Sequence, residues 1–364
     1  MRDKVAWWPQ SMNPLKAGVR MRCLNPLKQL RTQGLPVELY HAERADQYRA
    51  VIVQAWAAFS TSQGHDPEHF LAEVGRLKQA GLRIVVDNCD NQFYNPRQDA
   101  AWDAQLQRLR RLLALADVLV CATEQLAAVT RAEGYTEKPL WVIGDAIEQQ
   151  HDLLAGDPWF KRHLNPKRLG PYWALRELQH WVAQQRRHGR LPLVWFGNHG
   201  VAYAEGGMGD LLHWRAPLEA LHRERPLALT IISNHEAKYR QLFADWSLPS
   251  RYMQWNRLTF LRALAAHHTA LLPIGPNPFT LCKSNNRLTT ALWNGVRVIA
   301  DPLPSYVEFA PYAQVNGLDE PALQALRTAD GREVLPSATR NYLREHWQIE
   351  RIAQQWGSLI DSLL

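Results

Sequence analysis

Short apolar runs rich in β-branched side chains recur along this chain, and stretches of helical spacing separate them. No other feature restricts its folding as strongly. In the first half the runs are Val5-Ala6-Trp7-Trp8, Val37-Glu38-Leu39-Tyr40, Ala50-Val51-Ile52-Val53-Gln54, Arg83-Ile84-Val85-Val86, Val118-Leu119-Val120-Cys121 and Leu140-Trp141-Val142-Ile143-Gly144. Between them, residues 22–33, 70–80, 101–116 and 124–133 have helical spacing, the first two closed by Gly34 and Gly81. The second half repeats the rhythm without repeating the sequence, in runs at 193–196, 229–232, 270–273 and 296–300. Strand and helix in alternation produce a parallel sheet covered by helices on both faces. Two doubly wound α/β domains are therefore expected, at residues 1–155 and 191–338. A basic linker and helix (156–190) would join them. A terminal helix (339–364) would follow, with Trp347, Ile352, Trp356 and Ile360 on one apolar stripe.

The 364 residues suffice for two such cores, and 46% hydrophobic with 21% charged residues is the balance of a globular chain. No apolar run reaches the roughly 18 residues that would span a bilayer. Cys23, Cys89, Cys121 and Cys282 are scattered and form no CxxC, which points to reduced thiols in a cytoplasmic protein. The net charge of +7 is concentrated: between Lys161 and Arg190 there are eight Lys/Arg and one acid, Glu177. Such a stretch suits an anionic membrane surface, nucleic acid or a phosphorylated substrate. Within it Trp173, Leu175, Leu178, Trp181 and Val182 alternate with Arg176, His180, Arg186 and Arg187. That pattern fits either a membrane-surface helix or one packed between domains.

In open parallel sheets ligands collect beyond the carboxyl ends of strands. This selects the loops at 9–13, 87–95, 197–209, 233–236, 274–286 and 301–306. Asp87 and Asp90 follow the most apolar strand of the first half. Either could serve as general base on a hydroxyl, or cap the next helix. Gly197-Asn198-His199-Gly200, with Gly206, Gly207 and Gly209 beyond, lets backbone approach a ligand closely. It is not GxGxxG. HExxH, GxSxG, GxxxxGK[ST] and metal-type His/Cys clusters are missing too, which disfavours dinucleotide enzymes, metallohydrolases, α/β-hydrolases and P-loop enzymes. His267-His268 falls in a helical stretch and reads as structural.

The segment Cys282-Lys283-Ser284-Asn285-Asn286-Arg287 reads as a loop opening a helix that stops at Gly295. A helix start offers unpaired N–H groups and partial positive charge, a seat for phosphate. Lys283 and Arg287, four apart, could face one anion.

Taken with Pro278-Phe279, Ala291-Leu292, Gly295-Val296 and Pro304-Ser305-Tyr306-Val307-Glu308-Phe309, this segment is similar to the donor-binding region of GT-B glycosyltransferases of the group 1, family 4-like kind. Ala116 to Val120 and Val142 to Glu148 resemble the end of their acceptor domain, and the resemblance spans nearly the whole chain. It implies a GT-B fold of two Rossmann-like doubly wound domains facing a central cleft, with a C-terminal helix. It also implies transfer of a sugar from a nucleotide-sugar donor to a hydroxyl of a glycan or lipid-linked glycan, as in bacterial surface polysaccharide biosynthesis. The donor site would comprise Gly197, Asn198, His199, Lys283, Ser284, Asn285, Asn286, Arg287, Ser305 and Tyr306. Asn13, Arg20 and Arg22 would contact acceptor or phosphate, and Asp87 or Asp90 would be catalytic. The paired glutamates of the retaining group are absent, their positions falling on Cys282 and Thr290, so stereochemistry stays open. With basic side chains balancing the leaving phosphate, neither cofactor nor metal is required. Two rival readings are a DNA-modifying sugar transferase, which the positive charge permits, and a non-catalytic sugar- or nucleotide-binding protein of the same fold.

Overall fold

Valine, isoleucine and other apolar residues fill the strands, and in the computed structural model they build two all-parallel sheets. The structure describes residues 3–59, 66–153, 169–200, 206–330 and 336–363. Residues 156–168 of the expected linker and residues 201–205 of the glycine loop lie outside them. The chain divides into two compact units. The first comprises Met1–Ala146, Cys282–Ser284 and Glu345–Leu364; the second comprises Ile147–Leu281 and Asn285–Arg344.

The sheet of the first unit runs β2-β1-β3-β4-β5-β6, with β1 at Lys4–Trp8, β2 at Val37–Leu39, β3 at Tyr48–Gln54, β4 at Arg83–Asn88, β5 at Val118–Cys121 and β6 at Leu140–Val142. Strand order reverses beside β1, so the topological switch lies at the carboxyl ends of β1 and β3. The second sheet runs β11-β10-β7-β8-β9, with β7 at Leu191–Phe196, β8 at Leu227–Ser233, β9 at Ser250–Gln254, β10 at Thr269–Leu272 and β11 at Arg297–Ala300. Its switch lies between β7 and β10. Strand β9 escapes a periodicity search because Ser250-Arg251-Tyr252-Met253-Gln254 contains no apolar run. It is an edge strand paired only to β8, and an edge requires less burial.

The terminal segment forms two helices, Ser337–Trp347 and Ile349–Asp361, separated at Gln348, whose backbone is extended. The expected apolar stripe is real. Ile352, Trp356 and Ile360 enter the core of the first unit with Val5, Trp7, Leu30 and Ile52. The Trp7 and Trp356 rings lie 4.7 Å apart, tilted by 60°. Trp347 lies against the backbone of Gly144, where an added Cβ would come within 2.6 Å of the indole. Any larger residue at 144 would push the terminal helices away.

His267 and His268 sit in the turn before β10 rather than inside a helix, and both are buried. The Nε2 atom of His267 is 2.7 Å from Thr230 Oγ1 and its Nδ1 is 2.9 Å from the Ala263 carbonyl, which suits the neutral ring protonated at Nδ1. Burial pushes both imidazoles down to about 4. The unfolded chain binds the proton near pH 6.5, the folded one only near 4. Stability is therefore full above the unfolded value and is lost as pH falls from there toward 4. For His267 the loss is on the order of 3 kcal/mol. Urea melts at about pH 7 and about pH 4.5 should show it, and a His267→Gln variant should flatten the dependence.

No helix among the described residues is long and apolar enough to cross a membrane.

Candidate functional site

In the second unit the loops beyond β7 and β10 flank the switch point, and glycine lets them close on one another. Gly207 has φ +91°, and a Cβ there would fall 2.5 Å from the Gly200 nitrogen, so only glycine fits. Asp210, buried at the start of the following 3-10 turn, accepts the Gly207 N–H at 2.9 Å and is also hydrogen-bonded by the Gly275 backbone beyond β10. One carboxylate thus clamps both loops at the switch. Burial pushes its carboxyl up, while those N–H groups, Arg287 and His213 pull it back. Sequence reading passed over Asp210, although an acid directly after Gly206-Gly207-Met208-Gly209 was the available signal.

Arg287 stands in the first turn of the helix Asn286–Trp293. Its Nη1 would lie 3.3 Å from a Cβ at Gly197, so the guanidinium packs closely against the glycine loop. On its other side it hydrogen-bonds the hydroxyl of Tyr306, which is wholly buried and pushed up by that burial. Tyr306 is thus a support for Arg287 and not a ligand-facing residue. Ser305 is half-buried in the same turn. Asn285 donates to Glu308 at 3.3 Å, and its Oδ1 is buried with no hydrogen-bond partner among the described residues. Asn286 is half-buried and Asn198 exposed. His199 packs against His235 with centroids 4.7 Å apart and rings tilted by 42°, and its Nδ1 is 2.9 Å from Asn234 Oδ1. The loop is fixed from below by Lys238, which donates to the His199 carbonyl at 2.8 Å.

In the first unit the centre is Arg22. It lies in a π-helical turn, Arg20–Leu24, inside the first helical stretch, and such turns often mark functional sites. Nη2 donates to Asp87 Oδ1 at 2.5 Å and Nη1 to the Ile143 carbonyl at 2.5 Å and the Gly144 carbonyl at 3.1 Å. Asp145 Oδ1 is 3.3 Å away, and the guanidinium lies over the Trp356 ring. Burial alone would lower the Arg22 pKa, but Asp87 and Asp145 raise it well above the usual value. Burial pushes the Asp87 carboxyl up in turn, against the pull of Arg22, and the pair is sealed from solvent. Arg20 likewise faces inward, donating to the Pro14 and Leu15 carbonyls, and exposed Asn13 closes the same loop by accepting the Leu15 N–H. The expected phosphate or acceptor contacts of Arg20 and Arg22 therefore do not fit this structure, since both side chains are buried and turned onto the protein's own carbonyls and carboxylates. Asp87 is corrected in the same way: its side chain is 1% exposed and holds Arg22, so it is no accessible base.

Asp90, with 18% side-chain exposure, does retain access. Trp56 Nε1 donates to it at 2.9 Å, and so does Lys283 Nζ at 2.5 Å. Two residues expected on opposite partners, base and phosphate grip, thus neutralise each other. Residues Cys282–Ser284 are held to the first unit by three bonds in succession. Thr123 donates to the Cys282 carbonyl (3.1 Å), Lys283 to Asp90, and Ser284 to Asp145 Oδ2 (2.7 Å). Lys283 and Arg287 accordingly belong to different units. Near Asp90, Asn88 Nδ2 and both amide atoms of Gln92 are buried with no hydrogen-bond partner among the described residues. Sequence reading did not single them out, though Asp87-Asn88-Cys89-Asp90-Asn91-Gln92 is an unusually polar strand exit.

No protein-family model matches the sequence, and no curated protein matches it. Solved structures do resemble the fold. A sucrose-phosphate synthase from Thermosynechococcus elongatus superposes with a TM-score of 0.62 at 14% identity, covering 99% of each chain. An E. coli structure described as trehalose-6-phosphate bound with UDP-2-fluoro glucose gives 0.52 at 13% identity, covering 92% of this chain and 78% of that one. A UDP-forming α,α-trehalose-phosphate synthase from Burkholderia xenovorans, in complex with glucose-6-phosphate, gives 0.50 at 12% identity, over 96% and 84%. At such identities the likeness establishes architecture. The fold is GT-B: two Rossmann-like units, each with a parallel sheet, and C-terminal helices.

Proposed function

We propose that the protein is a glycosyltransferase that moves a sugar from a nucleotide-sugar donor to a hydroxyl of a glycan or lipid-linked glycan. Its setting would be bacterial surface polysaccharide synthesis on the cytoplasmic side of the membrane. The observation that carries this reading is Arg287, held by Tyr306 at a helix start and aimed at the glycine loop beyond β7, at the switch point of a GT-B sheet. A nucleoside diphosphate leaving group develops negative charge as the sugar–phosphate bond breaks, and a guanidinium with a helix start balances it without a metal ion. UDP-glucose is the first donor to try, given the ligands named for structures of this fold.

On the acceptor side Asp90 is the base that remains accessible. An attacking hydroxyl needs a group to take its proton, and the accessible Asp90 carboxylate has the chemistry for that. The test is nucleotide release from UDP-, GDP-, TDP-, ADP- and CMP-sugars with glycan acceptors. One donor should turn over, and Asp90→Asn should cut kcat while leaving donor KM near its original value. Release from none of them would remove the proposal.

A further inference from the structure

The helix Leu169–Arg187 has two opposed faces. Leu175, Leu178, Val182 and Gln185 recur at helical spacing and are buried. At about 100° per residue, Leu169, Tyr172, Trp173, Arg176, His180 and Arg187 gather on the far side. All six are exposed, Leu169 by 63% and Trp173 by 58%. Among the described residues the other exposed large apolar side chains are Met12, Leu15, Leu212 and Val307, whereas here three, two of them aromatic, fall within little more than one turn. The guanidinium of Arg176 lies over the Trp173 ring, 5.1 Å from its centroid. Glu177 is the one acid in the helix, and Arg251 neutralises it at 3.0 Å.

We propose that this face docks on an anionic membrane surface. Leu169, Tyr172 and Trp173 enter the headgroup layer, and Arg176 and Arg187 meet lipid phosphates. An apolar aromatic tip beside arginines matches the layered chemistry of such a surface, hydrocarbon next to phosphate. Nucleic acid offers the phosphate without the hydrocarbon. The inference concerns where the protein binds and not what it transfers, so it stands or falls without any nucleotide sugar present.

The test is co-sedimentation of the full chain with vesicles of phosphatidylcholine alone and of equimolar phosphatidylcholine and phosphatidylglycerol. Partition onto the anionic vesicles should be roughly tenfold stronger and should weaken as salt rises. Trp173→Glu should reduce it several-fold with an unchanged melting curve, and Arg176→Glu with Arg187→Glu should do the same by a second route. Equal binding to both vesicle types, or variants that bind like the original, would overturn the proposal. So would a concentration-dependent dimer lost in Trp173→Glu, which would assign the face to a second copy of the chain.

Discussion

Replacing Arg22 with alanine should destabilise the protein by about 3–5 kcal/mol, read as a lower denaturant midpoint. The side chain is 1% exposed, and so is its partner Asp87. Removing the guanidinium leaves a buried carboxylate uncompensated, and the Ile143 and Gly144 carbonyls lose their donor in the same stroke. A loss of that size is a large fraction of the roughly 5–15 kcal/mol that holds a typical domain. Arg22→Lys should recover only part of it, because an ammonium cannot fork between Asp87 and two carbonyls. Arg22→Met combined with Asp87→Leu should be milder than Arg22→Ala, since no unpaired charge remains. If the single variant unfolds no more readily than the original, the Arg22 network is not what organises the first unit.

The second large effect is on binding. Arg287→Ala should weaken donor nucleotide affinity by about 2 kcal/mol, or roughly 30-fold, the worth of a hydrogen bond to a charged group. Stability should change far less, because Arg287 is half-buried and the fully buried Tyr306 loses one hydrogen bond but no charge partner. Lys283→Ala should behave differently. Its ammonium is engaged by Asp90, so removing it frees that carboxylate as well as deleting a cation.

Much of the fold was legible because burial leaves a periodic trace. Strand β7 is buried along its whole length and reads as an unbroken apolar run, and the stripe from Ile352 to Ile360 announced a packed helix. Its destination did not show, since nothing local says that Trp356 meets Trp7 in the first unit. The π-turn at Arg20–Leu24 left no composition signal either. The candidate site was legible to the level of loops: Arg287 and the glycines were named as candidates, as was Asp90. Pairings were not. Lys283 and Asp90 stand 193 positions apart, and only the fold brings them together. The same holds for Arg22 with Asp87, which turned an expected base into an anchor. Asp210 was overlooked because a single acid after glycines is ordinary until its two loops are seen to converge.

The central claim, that the switch point of the second unit grips a sugar nucleotide through Arg287, is tested most directly by calorimetric titration. The intact chain and its Arg287→Ala variant would each be titrated with the donor panel. At least one nucleotide sugar should bind the intact chain, and the variant should bind it roughly 30-fold more weakly. Equal affinity in the two proteins, or no binding of any donor to the intact chain, would contradict it.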